Sequence, residues 1–441
     1  MSLQAAVGSQ KRIAVIGAGP IGLEAALYAA TLGHDVVVYE RGDLAKAVRS
    51  WGHVTLFSPW RMNVSALGRR ILQQAGLSPV AGDADWERCP QGREFLERYL
   101  QPLSQTPLLQ GRLRLRQQVV AIGRPWLLKG EQIGKASRAT AGFQILLSST
   151  AHDASHATTS VVGEHVEHAD VVLDCSGTFF CPNPIGAGGI PAIGERALGD
   201  RIVRQVPDIL GAARVRYAGR RVLLIGGGHS AATAAVHLAE LATTGTSLIW
   251  ANRDPAAVPF PDALGDTPDP LVERRQLHRA ANHLQTQSSV RYFAGTMVSR
   301  LQPTEDGALQ VHLLRGNAAG GSADGHGEQT VIVDEVLGLT GYGPDRSIYE
   351  QLQVHECYAS FGPMKLAATL LAAGGDCLAQ PTPGPETLKN PEPAFFILGA
   401  KSYGRNSAFL LQIGHAQIRS VFQLLQTQPD LDLYANPSGL P

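Results

Sequence analysis

Gly17-Ala18-Gly19-Pro20-Ile21-Gly22 stands between a short apolar run, Arg12–Ile16, and an alanine-rich stretch, Glu24–Gly33. In this spacing Gly17 permits a tight turn, Gly19 lets the backbone approach a pyrophosphate, and Gly22 lets a helix pack closely on a strand. A helix beginning just after the turn aims its unpaired N–H groups and the positive end of its dipole at phosphates. Glu40 lies 18 positions beyond Gly22, at the end of the next apolar run, Asp35–Tyr39. A carboxylate there accepts hydrogen bonds from both hydroxyls of a ribose. The order strand, glycine turn, helix, strand and acid is that of a dinucleotide site.

The pattern recurs about 200 residues later. Arg221–Ile225 runs into Gly226-Gly227-Gly228-His229-Ser230-Ala231, followed by a second alanine-rich helix and the apolar run Ser247–Ala251. Here the second strand ends in Asn252-Arg253 rather than in an acid. A cationic side chain at that point suits a ribose 2′-phosphate, which favours NADP over NAD. The adjacent Asp254 opposes that preference. Two dinucleotide folds in one chain suggest a flavin on the first and a nicotinamide on the second.

The elements that must position these turns are legible as well. Arg12–Ile16 and Arg221–Ile225 are apolar without alternation, as strands covered on both faces are. Leu113–Ile122 and Phe143–Leu147 read as meander strands, and Gln310–Leu314 and Thr330–Val333 as a second pair. Ser148–Ser160 and Gly316–Gln329 read as surface loops. Leu411, Ile418, Phe422 and Leu425 recur at near-helical spacing and predict a helix over Asn406–Leu425, capped by Asn406 or Ser407. The tail from Gln428 is expected to lie on the surface.

Composition narrows the function classes. The 441 residues carry 38 Lys+Arg against 38 Asp+Glu, so the clustered positive charge of a nucleic-acid binder is missing. Charged residues are only 17%, and glycine is abundant at 48, which suits a large interior threaded by tight turns. The five cysteines have no CxxC, CxxxxC or Cys/His metal spacing, so neither a disulfide framework nor a metal site is expected. His152, His156 and His165 read as a solvated hairpin tip. No signal-peptide core and no run of 18 apolar residues is visible, giving the expectation of a soluble, cytoplasmic protein without membrane or nucleic-acid partners.

With both glycine turns in place, the chain resembles the flavoproteins with two dinucleotide-binding domains, which include thioredoxin-reductase-like enzymes and flavin-containing monooxygenases. Asp174-Cys175-Ser176-Gly177-Thr178 is similar to the first ATG-type turn of that family, and Gly338-Leu339-Thr340-Gly341-Tyr342-Gly343-Pro344-Asp345 to the second. The resemblance implies an α/β protein with two Rossmann-like FAD/NAD(P)-binding domains of the three-layer ββα type. The NADP domain, residues 206–332, is inserted in a discontinuous FAD domain formed by residues 1–205 and 333–441. It implies FAD at Gly17, Ala18, Gly19, Pro20, Ile21, Gly22, Glu40 and Arg41, with Val119 against the adenine and Ser176, Gly177 and Gly341 in the ATG-type turns. It implies NADPH at Gly226, Gly228, His229, Ser230, Ala231 and Arg253.

Departures from the family bear on the activity. The redox-active cysteine pair of its disulfide reductases is missing, and Cys175 takes the alanine place of the ATG-type turn as a buried, inert thiol. The monooxygenase motif FxGxxxH and the "GD" ribityl aspartate are missing too; Pro182–Glu195 and the segment from Phe396 to Arg405 stand in their places. The replacements, Trp51–Val54 through Leu56–Trp60 and Lys401-Ser402-Tyr403-Gly404-Arg405, resemble a narrower bacterial subgroup of flavin monooxygenases, some linked to arsenic-resistance genes. By that resemblance Phe57, Ser58, Arg61 and Asn63 line the isoalloxazine ring, with Ser58, Arg61 or Asn63 able to hydrogen-bond near its reactive edge. Lys401, Ser402, Tyr403 and Arg405 lie by the flavin, where Lys401 or Arg405 balances the charge of its reduced form. The implied activity is transfer of one oxygen from O2 to a small soft-heteroatom or carbonyl substrate through a C4a-peroxyflavin. Two alternatives remain: an NADPH-dependent reductase serving a partner or small acceptor, and a flavin or nucleotide sensor without turnover.

Overall fold

A computed structural model describes residues 10–151, 160–261, 269–316, 327–373 and 384–435. The strands of its first half are β1 (Arg12–Ile16), β2 (Asp35–Glu40), β3 (Leu113–Leu115), β4 (Gln117–Gly123), β5 (Phe143–Ala151), β6 (Ser160–Ala169), β7 (Val171–Asp174) and β8 (Ile202–Val203). The second half adds β9 (Arg221–Ile225), β10 (Ser247–Ala251), β11 (Val290–Phe293), β12 (Thr296–Pro303), β13 (Leu309–Arg315), β14 (Gly327–Val333), β15 (Glu335–Gly338) and β16 (Phe395–Ile397). Four helices carry or hold the site residues: α1 (Pro20–Thr31), α2 (His229–Glu240), α3 (Val272–His283) and α4 (Leu411–Gln426).

The chain forms two compact units. One comprises Met1–Gly52, Pro59–Cys181 and Gly343–Pro441, the other His53–Ser58 and Pro182–Tyr342. The first unit holds a parallel sheet in the order β16-β7-β1-β2-β3, with the antiparallel meander β4-β5-β6. Register places Ile16 opposite Tyr39 on one side and Asp174 on the other, and Asp174 opposite Ile397. Along β1 the side chains alternate between two cores. Ile13 and Val15 join α1 and α4, where Tyr28 stacks on Phe422 at 5.0 Å. Ala14 and Ile16 join Val119, Ile122, Phe143 and Leu147 of the meander. Both faces are covered from Ile13 onward, so the strand reads as apolar without alternation over Ile13–Ile16.

The second unit repeats this plan with the sheet β11-β10-β9-β15-β8 and the meander β12-β13-β14. Val222 and Leu224 pack with the alanines of α2, whereas Leu223 and Ile225 pack with Val298, Val311 and Leu313. The expected three-layer α/β architecture is thus present in each unit. Among the described residues, no helix is long and apolar enough to cross a membrane.

Several boundaries differ from the sequence reading. The inserted unit runs from Pro182 to Tyr342, wider than residues 206–332, because β8 and β15 complete its sheet and the turn at Asn183 bonds to Thr340 and Gly341. Leu113–Ile122 is two strands in two sheets, broken at Arg116 with φ +58. Ser148–Ala151 belongs to β5 and His165 to β6, while His152 and His156 lie outside the described residues. Glu328 and Gln329 likewise belong to β14 rather than to a loop. Helix α4 begins at Leu411, because the Asn406 side chain accepts from Ala408 N and closes a local turn instead of capping a helix.

Candidate functional site

At the carboxyl end of β1 the three glycines of the first turn meet different demands. Gly17 has φ +96, and a Cβ there would approach the Cys175 carbonyl oxygen at 2.8 Å. A Cβ on Gly22 would sit 1.8 Å from the Gly17 oxygen. These two are required by the fold itself. Gly19 is not: its φ of −79 is open to any residue, and a Cβ there meets nothing within 4 Å. It caps α1 without a side-chain bond, and Pro20 follows at the first helical position. The cradle that a Gly19 Cβ would fill is what a pyrophosphate needs in front of the helix N-terminus.

Glu40 is buried at the end of β2. Its two oxygens accept from Ala18 N at 2.9 Å and Gly42 N at 3.0 Å, tying the acid to the glycine turn. Ala18 and Ile21 are both buried. The Arg41 guanidinium lies 3.8 Å over the Phe180 ring. This set of groups fits the FAD site expected from the sequence.

Lys401 is not a surface charge. Its ammonium donates to Asp174 Oδ2 at 2.6 Å and to Ser176 Oγ at 3.0 Å, and the Lys401 and Asp174 side chains are both fully buried. The Ser176 hydroxyl donates in turn to Asp174 Oδ1 at 2.6 Å, and Gly177 follows with φ +69. The turn carrying Lys401 is held from α4: Gly399 N donates to Gln417 Oε1 and Gln417 Nε2 to Ser402 Oγ, each at 2.8 Å. Ser402 is therefore occupied in holding the turn. Tyr403 is buried against Phe409, and burial pushes its hydroxyl up to about 12. Arg405 stacks over Phe361 at 4.2 Å. Gln417 carries no sequence signal, and Asp174 is visible only as the first residue of the Asp174–Thr178 turn, without a role of its own.

The segment expected to line the flavin is divided. Phe57 and Ser58 belong to the second unit, and Arg61 and Asn63 to the first. Ser58 is buried. Arg61 is exposed and paired with Glu87 at 2.7 Å. Asn63 is buried and donates to Pro59 O at 3.0 Å, closing its own short turn. Val119 packs in the meander core opposite Leu147. Cys175 is buried, and burial holds its thiol well above the ordinary range.

The second turn repeats the logic of the first. Gly226 has φ +138, and a Cβ there would meet the Leu339 oxygen at 2.2 Å, whereas a Cβ on Gly228 meets nothing within 4 Å. Ala231 is buried in the third position. Gly341 has φ +81 and lies beside Asn183. Asp254 turns its carboxylate back onto Ala256 N at 2.8 Å, and Asn252 accepts from Asp254 N and donates to Tyr292 Oη. Arg253 is exposed and makes no hydrogen bond or ion pair among the described residues. The residue that opposed a 2′-phosphate is thus engaged elsewhere, and the set fits a second dinucleotide. His229 and Ser230 begin α2, where His278 and Phe260 stack with the His229 ring and Phe57 packs against it at a tilt. Phe260 and His278 carry no sequence signal, since they meet His229 only through tertiary packing.

Over residues 12–115, β1 through β3, the chain matches the family described as FAD dependent oxidoreductase. Those residues therefore carry the sequence signature of FAD-dependent oxidoreductases. No curated protein sequence matches significantly. Among solved structures, the chain is similar to a bacillithiol disulfide reductase from Bacillus cereus, with 17% identity and a TM-score of 0.61 over 95% of this chain and 100% of that one. It is similar to the cadaverine monooxygenase of desferrioxamine biosynthesis from Erwinia amylovora, solved with FAD, at 12% identity and a TM-score of 0.61 over 95% of each chain. An ornithine N-hydroxylase from Kutzneria, solved with reduced FAD and NADP+, gives 14% and 0.59 over 96% of this chain and 100% of that one. These likenesses identify the fold, which reductases and monooxygenases share.

Proposed function

We propose that this FAD-dependent oxidoreductase draws electrons from NADPH and delivers one oxygen atom of O2 to a small substrate bearing a soft heteroatom or a carbonyl. The cysteine pattern carries the reading. The chain has no CxxC or CxxxxC pair, and Cys175, beside the first glycine turn, is buried with its thiol held protonated. A protonated, enclosed thiol is a poor nucleophile and a poor relay. Electrons therefore leave for oxygen, a bound substrate or a partner rather than a resident dithiol.

Gly17–Gly22 and Glu40 hold the FAD in this reading, and Gly226–Ala231 with Arg253 hold the NADPH. When bound, FAD supplies the two-electron and oxygen chemistry, while the protein binds and orients. The buried Asp174–Lys401 pair keeps the turn beside the FAD cradle rigid, which favours a defined ring position over a mobile one.

NADPH oxidation in air, with a panel of amines, sulfides and ketones, tests the reading when product and hydrogen peroxide are both quantified. A true substrate raises NADPH consumption with matching oxygenated product and less peroxide. Peroxide equal to NADPH with every substrate, together with reduction of a quinone or disulfide, overturns the oxygenase reading in favour of a reductase. Failure of NADPH to reduce the flavin leaves a nucleotide-binding protein without turnover.

A further inference from the structure

His229 is the first residue of α2 and directly follows Gly228, whose α-carbon faces open space. Its ring is fixed by other rings. His278 from α3 lies parallel to it, with centroids 5.1 Å apart and planes 3° apart. Phe260 continues the stack on His278 at 4.1 Å and 6°. Phe57 closes against His229 at 5.3 Å with a 59° tilt. All four belong to the second unit. A stack of this kind leaves the imidazole edge, rather than its face, for a ligand.

Without a ligand, the surroundings on balance disfavour a cation on this ring. Burial is the largest cause, followed by His278 and Arg274 of α3, and together they push His229 down to about 4 despite the opposing Asp269. Asp269 is already paired with Arg274, with a 2.8 Å bond to its Nη2. Phe57 and Phe260 bring no charge, and the positive end of the α2 dipole acts in the same direction. A dinucleotide pyrophosphate at this turn reverses the balance, because an anion within about 4–6 Å favours the protonated imidazole.

We propose that His229 is a phosphate-binding group of the second site that takes up a proton from solvent as the dinucleotide binds, with His278 and Phe260 as the stack that holds its ring in place. The inference rests on the reading of Gly226–Ala231 as a dinucleotide turn. It makes affinity for the nucleotide rise as pH falls.

The test is calorimetric titration of the flavin-loaded protein with NAD+ and with NADP+ at pH 6.5, in two buffers of different ionisation heat. A phosphate monoester itself titrates near pH 6, so NAD+, which lacks the 2′-phosphate, isolates the histidine. The expected result is net proton uptake with NAD+ and an affinity gain of roughly three- to tenfold from pH 7.5 to 6.0. His229→Asn should bind several-fold more weakly at pH 6.0, lose the pH dependence and lose the uptake, while His278→Phe, which preserves a flat stacking partner, should retain all three. Binding of NAD+ without proton uptake, or uptake that persists in His229→Asn, overturns the proposal and leaves the second site standing. Failure of both nucleotides to bind at any pH overturns the site reading and the proposal together.

Discussion

Replacing Gly19 with alanine should leave the first unit folded and empty its cradle. The new Cβ meets no protein atom within 4 Å, and the backbone at φ −79 and ψ −175 accepts any residue. Alanine is a poorer N-cap than glycine, which sets the stability cost at about 0.5–1 kcal/mol. A shift of ~2–4 °C in the melting temperature of the apoprotein corresponds to that cost. The bound state suffers far more. Displacing a phosphate from its helix N-terminus removes at least one charge-assisted hydrogen bond, about 1.5–3 kcal/mol, or roughly 10- to 150-fold in affinity. Gly22→Ala is the contrasting control, because its Cβ would sit 1.8 Å from the Gly17 oxygen and must disrupt the fold without any ligand. Urea unfolding of both apoproteins, with FAD titration followed by flavin fluorescence, separates the two effects. Wild-type FAD affinity in Gly19→Ala, or a loss of apoprotein stability as large as that of Gly22→Ala, would refute the reasoning.

The buried Asp174–Lys401 pair predicts that Lys401→Met alone costs about 3–5 kcal/mol by stranding a carboxylate, and that adding Asp174→Asn restores most of it. Urea midpoints measure both, and a single variant within 1 kcal/mol of wild type, on the scale of an exposed pair, would contradict the burial. Arg253→Ala should weaken NADPH binding roughly 10- to 150-fold and leave NADH nearly unchanged; equal loss for both nucleotides excludes the 2′-phosphate contact. Glu24 on α1 is fully buried near Tyr99 and Ser65, and desolvation raises its carboxyl to about 7. The folded state therefore holds the proton more tightly than the unfolded chain. Stability falls as pH rises from about 4.5 through 7, by up to about 3 kcal/mol. Glu24→Gln should match wild type near pH 4.5 and exceed it at pH 8, and parallel stability–pH profiles for the two proteins would rule this out.

The amino-acid sequence by itself determined both nucleotide turns, because their requirements are local. A positive φ at Gly17 and Gly226, a proline at the first helical position and an apolar strand on either side are properties of neighbouring residues. The acid at Glu40 was visible at the strand end for the same reason, although its bonds to Ala18 and Gly42 were not. The repeat of the whole unit followed from two such turns. Tertiary structure decided the contacts between distant stretches of chain. Lys401 meets Asp174 across 227 residues only because β16 lies in register beside β7, and no periodicity within either segment records that pairing. It also assigned His53–Ser58 to the second unit, so Phe57 and Arg61, four positions apart, belong to different units. The stack around His229 draws rings from three separated segments, brought together by apolar packing that has reach but no sequence spacing. Helix α4 starts late for a related reason: Asn406 had the right chemistry to cap it, but its side chain closes a turn onto Ala408 while Gln417 is drawn inward to hold the turn of Lys401.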